Sequence, residues 1–140
     1  MSTAPQVDFS QIRGDWHFHM NFLANAVSQT LKRAVKLWDP LKASVKAPEV
    51  EALLKKQVEV WARLDKDRDA KGSINVASPV LQEFISLCGQ TQAPCDALEV
   101  ASGASGSSSI YDSPLEHFTE AMRQVRSFAD DLEMMREQKP

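Results

Sequence analysis

The sequence predicts an all-α protein: a small helical bundle or elongated helical hairpin of about four helices, with a flexible loop before the last. Three observations carry this. Apolar residues recur at steps of three and four in four separate segments, each segment has recognisable end signals, and no stretch alternates apolar and polar over more than a few residues. With 140 residues, 43% apolar and 25% charged, the chain fits a single domain, 1–140, able to bury a core without disulfide or metal staples.

The first stripe is Phe9, Ile12, Trp16, Met20, Leu23, Val27, Leu31, Ala34 and Trp38, about eight turns of one helical face. Asp8 followed by Gln11 comes close to a capping box, and Pro40 ends the pattern, which sets a helix over 8–39. Gly14 costs about 1 kcal/mol relative to Ala inside a helix, so a break there, with the helix restarting at Asp15, is the alternative. Leu41 to Ala47, bracketed by Pro40 and Pro48, reads as a connector. Pro48 suits a first helical turn, and Val50, Leu53, Leu54, Val58, Trp61 and Leu64 form the stripe of a second helix over 48–65. Lys55, Lys56, Glu59 and Arg63 face outward.

Ser78 and Pro79 supply a cap and first turn for Val80, Leu81, Phe84, Ile85 and Leu87, and Gly89 reads as the stop of a short third helix, 78–89. Residues 90–112 contain Pro94, Gly103, Gly106 and a serine run, a composition that predicts a flexible loop. Ser113-Pro114-Leu115-Glu116 then combines a cap, a first-turn proline and a box-closing glutamate at the start of a helix over 113–137. Along it Leu115, Phe118, Met122, Val125, Ala129, Leu132 and Met135 form a narrow seam that calls for a partner helix, either the first helix or a second copy.

The function classes narrow by exclusion. A formal net charge of −3 argues against a dedicated nucleic-acid binder. No uncharged apolar run reaches the length of a membrane span and the first residues lack the pattern of a signal peptide, so the expectation is a cytoplasmic protein without a transmembrane segment. Asp65, Asp67 and Asp69 alternate as in a calcium loop, but Ala70 stands where the loop's sharp turn needs glycine and Val76 where it needs a bidentate glutamate. His17 and His19 lie about 200° apart on a helix and cannot share a metal. Cys88 and Cys95 make neither a redox pair nor a zinc knuckle; Cys88 reads as a small core residue, and Cys95 is placed in the loop, its reactivity left open. No glycine cradle, nucleophile elbow or HExxH motif occurs. The expectation is accordingly no enzyme, no cofactor and no metal.

Charge distribution is more telling than net charge. Lys32, Arg33, Lys36, Lys42 and Lys46 oppose only Asp39, beside apolar Leu31, Val35, Leu37, Trp38 and Leu41, a basic amphipathic segment suited to an acidic partner or anionic surface. The leading expectation is a non-enzymatic helical interaction module, such as an adaptor, assembly factor or small chaperone, which binds a protein partner or itself. Its candidate contact residues are Leu115, Phe118, Met122, Val125, Leu132 and Met135 on the seam and Lys32, Arg33, Lys36 and Trp38 on the basic segment. The alternatives are a peripheral coat on an anionic membrane or hydrophobic granule through residues 31–46, and an unrecognised enzyme or metal-binding protein.

Overall fold

The computed structural model describes residues 9–101 and 113–139, with side chains from Trp16 onward. Among these residues there are four helices and no strand: α1 (Phe9–Leu41), α2 (Pro48–Lys66), α3 (Pro79–Ala101) and α4 (Pro114–Glu137). The protein is thus a small all-α bundle. Contacts between helices fix an up-down-up-down arrangement. Trp61 of α2 donates from its indole N–H to Ser28 Oγ of α1 (2.9 Å), and Ser73 Oγ of the loop that follows α2 lies 2.7 Å from Nδ1 of His17, nearer the start of α1, so α2 runs back along α1. Arg63 reaches Glu83 and Gln57 reaches Thr91, while Thr119 reaches Glu99 and Arg123, a turn further on, reaches Asp96, which makes α2/α3 and α3/α4 antiparallel as well. The ring closes where Trp16 Nε1 donates to the Met135 carbonyl (2.8 Å) and Trp38 stacks at a tilt on Phe118, centroids 4.9 Å apart.

The core gathers the inward stripes of all four helices. Trp16, Met20, Val27, Leu31, Ala34 and Trp38 come from α1, and Leu115, Phe118, Met122, Val125, Ala129 and Leu132 from α4. α1 and α4 form the most extensive pairing in the bundle, as two long stripes of matched period must when each is the other's largest available apolar surface. α4 begins as its sequence demands: Ser113 Oγ accepts from the Glu116 backbone N–H (3.4 Å) with Pro114 in the first turn.

α1 is continuous through Gly14, as the 8–39 stripe requires, with no restart at Asp15. Three elements depart from the sequence reading. α1 runs through Pro40 to Leu41 rather than ending at 39; near a helix end, proline's clash is with a single preceding turn, and Trp38 and Leu41 remain buried. In α2 the buried set is Val50, Leu54, Gln57, Val60, Trp61 and Leu64, so Val58 lies outside the core and a glutamine lies within it. The largest correction is α3, which continues past Gly89 and through Pro94 to Ala101. Residues 90–101, expected to be flexible, are helical; the rest of that expected loop, 102–112, lies outside the described residues. Tertiary burial overrides both helix breakers, because Cys88, Thr91 and Cys95 extend the inward face of Leu81, Phe84 and Ile85 by two further turns. Cys95 is therefore a core residue rather than a loop thiol.

Candidate functional site

The four pairs of neighbouring helices are not equally tight. α1 and α2 touch least. Beside the Trp61–Ser28 hydrogen bond, the short side chains of Val35 on α1 and of Val58 and Ala62 on α2 line the space between them. An open groove of about 790 Å³ lies there, floored by Leu31, Val35, Val58, Trp61 and Ala62 and bordered along α1 by Lys32, Arg33 and Lys36. Val35 and Val58 remain 43% and 38% exposed, less than Phe18, Phe22, Val100 and Met134 elsewhere on the surface. From residue 28 to 36 and from 58 to 65 the two walls are each about two helical turns long, about 10.5–12 Å at 1.5 Å per residue.

The electrostatics of the groove are one-sided. Arg63, Arg68, Arg123, Arg126 and Arg136 each hold a carboxylate within 4 Å. Arg33, Lys32 and Lys36 are exposed, and none of the three enters an ion pair among the described residues. The acid at the groove's end, Asp65, is held by Arg68 (3.0 Å). Arg68 also donates to Gly72 O (2.7 Å), to Asn25 Oδ1 (3.1 Å) and to Asn21 Oδ1, pinning the α2–α3 loop to α1 beyond the groove. Asp69, the last of the alternating aspartates, accepts the backbone N–H groups of Ser73 and Lys71, which hold its carboxyl below the usual range. Asp65 and Asp69 thus shape a turn through separate partners, and among the described residues no three His, Cys, Asp or Glu side chains converge on a common point.

The structure separates the candidate contact residues into two groups. Leu115, Phe118, Met122, Val125 and Leu132 are buried, with Met135 partly buried against them, so the seam of α4 is occupied within the chain by α1. Trp38, placed with the basic side chains in the sequence reading, is 4% exposed and packs on Phe118; it belongs to the core, because the stripe containing Leu31 and Ala34 turns it inward. Lys32, Arg33 and Lys36 stay together on the surface, at the edge of the groove. The wall contributed by α2 was missed. Val58 was assigned to the α2 core, and the cue that it is not is its neighbour Gln57, whose position in the 50, 54, 57, 61, 64 series turns the buried face one residue away. The two thiols offer no alternative site: burial pushes Cys88 up to about 12 and Cys95 up to about 11, which leaves both protonated and unreactive near neutral pH. Comparison with protein-family models, curated proteins and solved structures returns no match.

Proposed function

We propose that this protein is a non-enzymatic interaction module that binds a partner protein in the groove between α1 and α2. The observation that supports the reading is an apolar slot two turns long, exposed on a bundle whose other helix pairs close tightly, and edged by three cations without carboxylate partners. Concave apolar surface flanked by fixed charge is the form taken by recognition grooves, where the floor supplies affinity and the rim supplies orientation. The basic segment thus takes the role of a rim, and the α4 seam serves the bundle itself. A coat for an anionic surface is the second reading. It has the same basic side chains in its favour, but Trp38, its natural wedge into a lipid interface, is buried. The test is site-specific photo-cross-linking in the native cell, with a benzophenone side chain placed at position 58 or, as a control, at exposed position 97. Discrete protein adducts from 58 that are absent from 97 are expected. Equal labelling from both positions, or none from 58, removes the groove as a binding site.

A further inference from the structure

We infer that the occupant of the groove is an amphipathic helix of a partner protein carrying two or three apolar side chains at i, i+4 and i+7 and carboxylates along one flank. This rests on the groove being a partner site and adds the chemistry of what fills it. Three observations lead there. First, the walls are the antiparallel ridges 28–36 and 58–65, and a third helix laid along two such ridges is the way helical bundles fill a gap of this shape. Second, the length matches. Side chains at i and i+7 of a helix stand about 10.5 Å apart, against walls of about 10.5–12 Å, and the volume of about 790 Å³ exceeds a single side chain and suits a short row of them. Third, the positive charge lining the groove is confined to one side, and Asp65 on the other is held by Arg68. Lys32, Arg33 and Lys36 all border the α1 wall, while the described arginines elsewhere are satisfied by carboxylates of the same chain. A helix with acids on the flank facing α1 completes these pairs in the manner of the intramolecular ones, and a helix with bases there is repelled. A bilayer meets protruding groups, whereas the apolar floor here is recessed between two helices, which favours a ridge-shaped ligand over a flat one.

The experiment uses the full chain and a displayed library of helical 16-residue peptides with a fixed apolar stripe and randomised flanks. Selection is carried out on the wild type, on Val58→Glu and on the triple variant Lys32→Glu, Arg33→Glu, Lys36→Glu, all with folding checked by circular dichroism. Peptides enriched on the wild type are expected to carry Asp or Glu along one flank. They are expected to bind Val58→Glu and the triple variant at least about tenfold more weakly at low salt, and for the triple variant the difference should shrink in about 0.5 M salt. Selection on the triple variant is expected to enrich Lys and Arg at the same flank positions. Enrichment without acidic bias, enrichment indifferent to Val58→Glu, or no enrichment overturns the inference. Binding of the wild type to phosphatidylserine vesicles that Val58→Glu abolishes would overturn it in favour of a lipid ligand. Cross-linking from position 58 distinguishes the two levels: protein adducts there without acidic enrichment leave the interaction module standing and remove only the acidic helix, while loss of both removes the groove altogether.

Discussion

At the scale of single residues, several side chains in the bundle sit at odds with their surroundings, and each makes a measurable claim. Gly89 lies in the middle of α3, and a Cβ built there meets nothing within 4 Å. Gly89→Ala is expected to stabilise the protein by about 1 kcal/mol through helix propensity and a less flexible unfolded chain, read as a higher urea midpoint; a lower midpoint would place a close neighbour at that position. Gln57 is 1% exposed, and although its Nε2 donates to Thr91 Oγ1 (2.8 Å), its Oε1 has no partner. The Thr91 hydroxyl in turn donates to the Leu87 carbonyl (2.7 Å), so Gln57→Leu leaves no orphaned group. It is expected to raise stability by about 1 kcal/mol, and a loss of that size would show the amide to be worth more than its desolvation. For Cys88 and Cys95 the sign follows from burial. Their folded pKa values, about 12 and about 11, lie above the value of an exposed thiol, so the unfolded chain loses these protons first. The stabilisation is fully present below about pH 8.5 and is lost as pH rises toward the folded values. Denaturation between about pH 8.5 and 10.5 should show a downward slope in stability that is shallower in the Cys88→Ala, Cys95→Ala variant. Equal slopes would mean the thiols are accessible in the native state.

At the scale of the element, local sequence and tertiary context compete, and the helices differ in which one prevails. α4 is locally determined: cap, first-turn proline and seam agree. Ser113→Ala removes the acceptor for the Glu116 N–H and is expected to cost about 1 kcal/mol, with Ser113→Asp restoring most of it. A variant with an unchanged thermal midpoint would show the start of α4 to be held by packing alone. α3 is the opposite case. Its inward face changes from Phe84 and Ile85 to Cys88, Thr91 and Cys95, residues of weak hydrophobic signal, just where Gly89 and Pro94 give strong stop signals. The helix persists because α4 lies alongside, with Arg123 bound to Glu99 (2.5 Å) and Asp96 (3.3 Å) across the joint. In α2 the stripe was legible but its phase was not, since the apolar spacing places Val58 in the core where the bundle buries Gln57 instead; the groove's second wall depends on that single step of about 100°.

At the scale of the whole molecule, the same chain holds one apolar seam closed and leaves another open. Phe118 is fully buried against Trp38, so Phe118→Asp places a carboxylate in the α1–α4 core and is expected to cost several kcal/mol or to prevent folding. Replacing Lys32, Arg33 and Lys36 by Glu changes three exposed, unpaired side chains and is expected to move the thermal midpoint little, within the range of ordinary surface substitutions. Measured together, the two variants separate what holds the bundle from what it presents. A stable Phe118→Asp protein, or a triple variant that unfolds, would reverse that division.

Helix number, the all-α class, the start of α4 and the inward stripes of α1 and α4 were determined by the sequence alone, because periodicity and caps are local properties that a helix displays whatever it packs against. The grouping of Lys32, Arg33 and Lys36 was legible for the same reason, since residues 32–36 span little more than one turn. Whether α3 would cross Gly89 and Pro94, which face of α2 would turn inward, and whether Trp38 would meet solvent or Phe118 were decided only by the tertiary structure. Each of these depends on a surface supplied by residues distant in the chain, and a glycine, a glutamine or a tryptophan carries no mark of the neighbour it will meet. The groove belongs wholly to this second kind: Val35 of α1 and Val58 and Ala62 of α2, unremarkable apart and distant in the chain, line one concavity only because the bundle sets their helices side by side.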